Sequence, residues 1–298
     1  MANESRENEQ IILICICVFS VLAILANALV ILLVLTSKRL RTYVNGFLVS
    51  LAASDILITI CVALPFVFLS WEKQNIKTAR TLYKYFLASA SISELGNLCA
   101  VTYERYLAVV KPFKYKTRIK KYFCIIIPVV WLSSFLVSLI VFLHYADIRN
   151  SVKKIIVIPT LLIFVLLPLL IIIIFYHYIF VSLIKQKKSI HTLGSIHPHA
   201  LHQRKKREVK LVKMFAVVAS LYIFSTIPGL LHESVGEIRK FTLPGCPISF
   251  ALLLSYFGIV LSSLANPFIY TFSKQDFRQQ IKVIFKNIPQ CKMWDRQT

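Results

Sequence analysis

Glycine, acidic residues and cysteines outside apolar segments are all scarce in this chain. Only 7 of its 298 residues are Gly, whereas 57% are hydrophobic, and the mean hydropathy is +0.70. A soluble domain does not need so apolar a composition, so the chain is expected to fold in a membrane. Most of the 7 Cys lie inside or at the ends of apolar segments, which argues against a disulfide framework.

Long apolar runs account for this composition. A bilayer core about 30 Å thick needs roughly 20 apolar residues per helix. Runs of this kind cover residues 11–36, 45–70, 85–103, 122–145, 155–184, 214–232 and 247–272. They predict an all-α membrane protein: an extracellular tail (1–10), a seven-transmembrane helix bundle (11–272) and a cytoplasmic segment (273–298). Within that last segment, Phe277, Ile281, Ile284 and Phe285 recur at helical spacing, which predicts a short amphipathic eighth helix on the membrane surface.

The distribution of positive charge predicts the orientation. Lys and Arg follow the first, third, fifth and seventh apolar runs, whereas most acidic residues flank the opposite ends. Basic loops stay cytoplasmic, so the amino terminus is expected outside a multi-pass plasma-membrane protein. The net charge of +22 then reflects topology and attraction to anionic membrane lipids, and nucleic-acid binding is not expected. On the predicted outer side Asn3 begins a glycosylation sequon, and on the inner side Cys291 is either an acylation site or an ordinary thiol.

Two short motifs lie at the same predicted membrane depth. Glu104, Arg105 and Tyr106 end the third apolar run, and Asn266, Pro267 and Tyr270 lie at the cytoplasmic end of the seventh. Other residues inside the apolar runs complete a family pattern: Asn27, Asp55, Trp131, Pro168, Tyr176 and Pro228. With the two motifs, these residues give nearly the whole chain a resemblance to a rhodopsin-like (class A) G-protein-coupled receptor.

The resemblance implies a receptor, not an enzyme, that activates a heterotrimeric G protein when an extracellular ligand binds. It assigns the central role to Arg105, held by Glu104 and by Glu208 at the base of the sixth helix. Release of that ion pair would let the sixth helix move outward. Arg105, Tyr176 and Tyr270 would then frame a groove for the Gα subunit. The simpler alternative is a static ion pair at the end of a helix.

Polar residues inside the apolar runs predict a buried cluster. Asn27, Asp55 and Asn266 are costly in hydrocarbon unless they bond to one another, so they should meet in the bundle interior. Glu94 occupies a position where the family usually has a small hydroxyl residue. Two carboxylates in a medium of low dielectric constant cannot both stay charged without a large cost in free energy. The pair therefore predicts a sodium or proton site, and no other cofactor or metal is expected. A neutral Glu94 bonded to its neighbours explains the pattern equally well.

Two departures from the family pattern concern the outer half. Arg80 replaces the cysteine that usually forms the outer disulfide, and melanocortin, cannabinoid and lysophospholipid receptors, which also lack this disulfide, are the nearest branch by analogy. Thr226 replaces the usual tryptophan of the sixth helix, so Tyr222, one turn earlier, is expected to move in its place.

The ligand class follows from further replacements. Leu87 stands in place of the acid that pairs with biogenic amines, and Val260 in place of the lysine that carries retinal, which argues against amines and light. An apolar pocket with an acid and an imidazole suits a peptide or lipid-like ligand. The expected pocket residues are Phe66, Leu69, Tyr83, Phe86, Leu87, His232, Glu233 and Tyr256. A basic rim that includes Lys84 favours an acidic ligand.

Other protein classes explain less of the sequence. A seven-helix proton or ion transporter could use Asp55 and Glu94 as a relay. Such a transporter would leave the motifs around Arg105 and Pro267 unexplained. A membrane enzyme is not favoured, because the sequence contains no nucleophile elbow, no HExxH pair and no clustered His and acid set at a membrane face.

Overall fold

The structure is a computed structural model that describes residues 2–68, 76–145, 162–192, 209–210, 212–213, 216–225 and 248–287. Its α-helices are α1 (Ala2–Thr36), α2 (Tyr43–Phe68), α3 (Ile76–Val110), α4 (Pro112–Tyr145), α5 (Leu167–Thr192), α6 (Ala216–Ser225), α7 (Ile248–Ser273) and α8 (Gln275–Asn287). A 3-10 turn (Lys38–Leu40) joins α1 to α2. All regular elements in these ranges are helical, which confirms the predicted all-α class.

Four of these helices contain segments long and apolar enough to cross a membrane: Ile11–Thr36, Tyr43–Leu64, Thr117–Leu139 and Leu167–Lys185. Shorter apolar segments occur in α6 (Ala216–Ser225) and α7 (Leu253–Ile269). Of the four long segments, that of α2 is the most enclosed by protein, whereas those of α4 and α5 are mostly exposed. The buried face of α2 carries the acid Asp55, which is 0% exposed.

The buried face of α1 shows how sequence decides orientation. Ile16, Ala23, Asn27 and Val30 are buried at helical spacing, whereas large side chains between them are exposed. Those exposed side chains are Ile14, Val18, Val21, Leu25, Leu29 and Leu32. In a bilayer, lipid is as apolar as Leu, so helices pack through small or polar residues. The stripe with Ala23 and Asn27 therefore faces α2 and α7, which α1 contacts.

Several helices continue beyond the predicted apolar runs. The third and fourth were predicted over 85–103 and 122–145, but α3 and α4 are 35 and 34 residues long. Their added turns are rich in Lys, Arg and Tyr, which form helices readily once they are outside the hydrocarbon. In the same way α1 begins at Ala2, so the segment predicted as a tail continues the first helix. Its Glu, Arg and Gln residues have good helix propensity.

A π-helical turn (Leu162–Leu166) precedes α5. Pro168 is the second residue of α5 and has no amide hydrogen to donate to the turn before it. The helix adjusts by widening at this point, as helices commonly do next to proline.

A chain of polar contacts joins α2, α3 and α4. The Trp131 indole Nε1 donates to Ser50 Oγ at 3.0 Å, and that hydroxyl donates to Asn97 Oδ1 at 2.6 Å. Asn97 Nδ2 donates in turn to the Ser93 carbonyl at 2.9 Å. These bonds satisfy buried polar groups where no water is available, and they place α3 between its neighbours.

The C-terminal end of α1, the N-terminal end of α2 and helix α8 form one unit. Lys274 Nζ donates to Asn45 Oδ1 at 2.8 Å, and Asn45 Nδ2 donates to the Leu40 carbonyl at 2.8 Å. Phe277 is fully buried against this corner, while the Arg39–Asp276 ion pair at 3.0 Å is exposed. The helix predicted over 273–288 is thus present as α8, with an apolar side against the bundle.

Candidate functional site

Arg105 is buried near the C-terminal end of α3. Its side chain and that of Glu104 are 6% and 2% exposed, and Arg105 Nε donates to Glu104 Oε2 at 2.5 Å. A guanidinium at the membrane edge requires such a partner, because an unpaired buried charge is strongly destabilising. The pair predicted between these neighbours is therefore formed within α3 itself.

Tyr115 is a second partner of Glu104 that the sequence interpretation missed. It lies in the first turns of α4, and its hydroxyl donates to Glu104 Oε1 at 2.5 Å. Both carboxylate oxygens of Glu104 are thus engaged, one by α3 and one by α4. The signal in the sequence is weak, since a tyrosine eleven residues after an acid has no characteristic spacing.

The other aromatic residues divide between two sides of Arg105. Tyr106 stacks on Phe175 of α5 with ring centroids 5.0 Å apart, and Lys111 Nζ lies 5.6 Å from the Tyr106 centroid. Tyr176 instead lies within electrostatic reach of Arg105 and packs where three apolar clusters meet. Tyr176 is therefore placed beside the arginine, whereas Tyr106 points to α5.

Some residues of the sequence predictions lie outside the described residues, and for others only the backbone is described. Glu208, Leu69, His232, Glu233, Thr226, Pro228 and Cys291 lie outside the described residues. For Asn3, Phe66, Arg80 and Tyr270 the structure gives only the backbone, in α1, α2, α3 and α7. The ion pair of Arg105 with Glu208 therefore stays a prediction.

The polar interior brings α1, α2 and α7 together. Asn266 Nδ2 donates to Asp55 Oδ2 at 2.7 Å, and Asn27 Nδ2 donates to the carbonyls of Ala23 and Ser263, both at 3.0 Å. Each of these polar side chains is almost fully buried. Asp55 and Asn266 therefore bond directly, whereas Asn27 joins them through the backbone of α7.

Glu94 approaches this cluster from α3. It is 2% exposed, and its carboxyl is close enough to that of Asp55 for their charges to interact. Within the ranges that the structure covers, no three His, Cys, Asp or Glu side chains form a group that could hold a metal ion.

The outer half holds part of the predicted ligand pocket. Leu87 and Tyr256 pack against the same buried cluster, which includes Ile58 and Val62 of α2. Tyr83 lies one turn outward of Leu87 on α3 and is half-buried. Phe86 instead is 46% exposed and contacts Tyr85, with ring centroids 5.3 Å apart. The structure thus joins Leu87 to Tyr256 and leaves Phe86 outside their cluster.

Phe113 is the second residue that the sequence interpretation missed. It follows Pro112, the first residue of α4, and its side chain is 100% exposed. Phe113 thus leaves a large aromatic side chain exposed two residues before Tyr115.

Comparison with known proteins agrees with this geometry. The chain matches the family described as 7 transmembrane receptor (rhodopsin family) over residues 26–270. The octopamine receptor beta-2R of Chilo suppressalis is 26% identical over 91% of this chain and 77% of its own length. The D(1)-like dopamine receptor of Oreochromis mossambicus is 27% identical over 90% of this chain and 77% of its own. Trace amine-associated receptor 8b of Rattus norvegicus is 29% identical over 89% of this chain and 83% of its own.

The matched region runs from the first predicted span to the end of the seventh and includes Arg105, Asp55 and Asn266. The chain therefore belongs to the rhodopsin family of seven-transmembrane receptors, which are multi-pass plasma-membrane proteins that signal through heterotrimeric G proteins and are not enzymes.

Proposed function

We propose that this receptor is activated by an extracellular acidic ligand with an apolar body, either a peptide or a lipid-like molecule. Leu87 is the observation that carries this proposal. Its aliphatic side chain packs against the cluster of Tyr256, Ile58 and Val62 in the middle of the outer half. A ligand ammonium would meet no carboxylate from Leu87, so apolar contact is what this side chain offers.

Lys84 supports the acidic character of the ligand. It lies one turn outward of Leu87 on α3 and is half-buried. A lysine at this depth buries its stem in apolar surroundings and presents an ammonium near the outer mouth. A carboxylate or phosphate bound there would form a charge-assisted hydrogen bond.

An amine receptor is the second candidate. It is favoured by the relatives reported above, which are octopamine, dopamine and trace amine receptors. The analogy with melanocortin, cannabinoid and lysophospholipid receptors rests on the missing outer disulfide at Arg80. The residue at position 87 distinguishes the two candidates. An ammonium group needs an acid within a few ångströms when water is excluded, and Leu87 provides none.

Release of Arg105 is the proposed signalling step. In this structure the charge of the Arg105 side chain is neutralised by Glu104, and Glu104 also accepts a hydrogen bond from Tyr115. Movement of α6 would expose Arg105 to a Gα segment in a groove beside Tyr176. The exposed Phe113 would add an apolar contact at the rim of that interface.

Tyr222 is the proposed link between the ligand pocket and this step. It is 3% exposed on α6, and its hydroxyl donates to the Ser91 carbonyl of α3 at 3.1 Å. Its ring packs in the same cluster as Leu95 and Ile172, so α3, α5 and α6 meet around it. Outward movement of α6 requires this bond to break.

The amino terminus is proposed to be extracellular. The cytoplasmic corner of α1, α2 and α8 contains Arg39, Arg41 and Lys274. Basic residues of this density are retained on the inner face of the membrane.

Replacement of Arg105 tests the signalling step. Arg105→Ala should remove G-protein activation and leave surface density and ligand binding near wild type, because Arg105 lies at the inner face. The measurement is GTPγS loading of Gα in membranes that carry equal amounts of receptor. Arg278→Ala, an exposed cytoplasmic arginine of α8, is the matched control. Undiminished loading by Arg105→Ala would rule out the assigned role.

Replacement of Tyr222 tests the link. An interhelical hydrogen bond in a membrane contributes about 0.6 kcal/mol on average, so Tyr222→Phe should raise ligand-independent signalling about threefold. Tyr178→Phe is the control, because Tyr178 is 54% exposed on α5. Basal signalling is measured at matched surface expression. Equal values for Tyr222→Phe and wild type would show that the bond does not restrain α6.

The ligand class is tested with a panel on cells that carry a promiscuous Gα reporter. Acidic peptides and lysophospholipids should activate the wild type, and octopamine and dopamine should not. Lys84→Gln should lower the potency of the acidic ligand roughly tenfold, the effect of about 1.4 kcal/mol lost with a charge-assisted bond. Lys282→Gln on α8 is the control for loss of a lysine. Activation of the wild type by an amine would favour the second candidate.

Epitope tags test the orientation. A tag before Met1 should bind antibody on intact cells, and a tag after Thr298 should bind only after permeabilisation, because the basic corner holds α8 inside. Binding of both antibodies to intact cells would contradict this orientation.

A further inference from the structure

Gly258 of α7 lies directly against α6. A β-carbon at this position would lie 2.8 Å from Ser225 Oγ, 3.0 Å from Ser225 Cβ and 3.4 Å from Ser225 Cα. Small residues allow membrane helices to approach this closely. The Ser225 hydroxyl is itself engaged, since it donates to the Leu221 carbonyl at 2.6 Å. Two carbon atoms pack best about 3.5–4.0 Å apart, so a larger residue at position 258 would push α6 away by about 0.5 Å or more.

Gly258 differs from two other glycines at helix contacts. Gly46 of α2 faces the tip of the Phe123 ring, where a β-carbon would lie 2.6 Å from Cε2, and Gly96 of α3 faces the methyl groups of Val130. Both neighbours are side chains of α4, and an aromatic ring can turn aside where a main chain cannot. Of these three contacts, the one at Gly258 is therefore the one that sets the position of α6.

Tyr222 lies one turn from this contact. It precedes Ser225 by three residues on α6, and its hydroxyl donates to the Ser91 carbonyl of α3 at 3.1 Å. An O–H···O hydrogen bond usually measures about 2.5–3.0 Å, so this bond is already long. A helix transmits a displacement from one turn to the next, and a shift of about 0.5 Å at Ser225 is therefore enough to weaken the bond of Tyr222.

We propose that Gly258 and Ser225 are the positioning pair for Tyr222: their contact fixes the distance between α6 and α7 and keeps the Tyr222 hydroxyl within reach of Ser91. The role of this pair rests on the proposed function, in which Tyr222 restrains α6. Neither residue of the pair needs to contact the Gα subunit or Arg105.

The pair also connects α6 to the ligand pocket through α7. Tyr256 lies two residues before Gly258 and packs in the cluster that contains Leu87. A ligand that shifts Tyr256 would displace α7, and the close contact at Gly258 would pass this displacement to α6. The receptor thus has a route from the pocket to Tyr222 that requires no ligand contact with α6.

Basal signalling at matched surface expression tests the pair, with the promiscuous Gα reporter and no added ligand. Gly258→Ala should raise basal signalling up to about threefold, the effect expected for complete loss of the Tyr222 bond. Adding Ser225→Gly removes the Oγ and Cβ atoms that face position 258, so the double variant should return to the wild-type value. Gly46→Ala is the matched control, because it adds the same atom at a crowded contact without α6, and its basal signalling should stay at the wild-type value.

Thermal unfolding of the purified full-length receptors measures the contact without any signalling. The midpoint is compared for the wild type, Gly258→Ala, Ser225→Gly and the double variant. Gly258→Ala should lower the midpoint less when Ser225→Gly is present, because the crowding atoms are then gone. If Gly258→Ala does not reach the surface, Ser225→Val replaces it in the signalling assay, since it adds bulk to the same contact from α6.

A purely structural role gives a different pattern. Gly258→Ala would then reduce surface expression and signalling together, and the signal per receptor would not rise. The Tyr222→Phe background provides a second distinction. If both changes act through the same hydrogen bond, Gly258→Ala should add no further basal signalling to Tyr222→Phe.

Four outcomes would overturn the proposal. Wild-type basal signalling in Gly258→Ala, where Tyr222→Phe raises it, would refute the pair and leave the proposed role of Tyr222 intact. An increase that Ser225→Gly does not reverse would show that Ser225 is not the neighbour responsible. A further increase on the Tyr222→Phe background would show that Gly258 acts elsewhere. If Tyr222→Phe itself has no effect, the proposed link and this pair both fail, even where thermal unfolding shows that positions 225 and 258 are coupled.

Discussion

The absence of water from the bilayer core is the constraint on which this structure depends. Every polar group inside the apolar helices must find its partner within the protein. Asp55 meets Asn266, and Asn27 meets the backbone of α7. Trp131 donates a hydrogen bond to Ser50, and Ser50 donates one to Asn97. These few contacts decide which face of each helix turns inward, because the apolar residues are equally stable against lipid and against one another.

The same constraint acts on Arg105. Arg105 is buried at the end of α3, and its charge is paired with Glu104. In the proposed signalling step, Arg105 exchanges this partner for another. Tyr222 adds a second contact of the same kind, in the middle of the membrane, where a single hydroxyl joins α6 to α3. Both contacts involve α3, which also packs against α2, α4 and α5.

Prediction from sequence succeeded where one helix contains the whole signal. The all-α class, the seven-transmembrane bundle and the receptor family were predicted from apolar run lengths and from residues at fixed positions within single helices, and all three are confirmed. The bounds of the seven spans stay a prediction. Prediction was incomplete where two helices meet. Tyr115 was not expected to bind Glu104, and Phe113 was not expected to be fully exposed. The proposed class of acidic peptide or lipid-like ligands depends on Leu87. The names of the relatives favour amines instead.

The sequence by itself therefore determined the helical class, the apolar segments and the residues that cannot face lipid. Periodicity and hydropathy act along one helix, so these properties need no knowledge of its neighbours. Only the tertiary structure decided that Asn266 binds Asp55, that Asn27 binds the Ser263 carbonyl and that Glu94 joins them. These contacts join residues far apart in the chain, and they depend on the rotation and depth of separate helices, which pairwise packing sets and no single segment encodes.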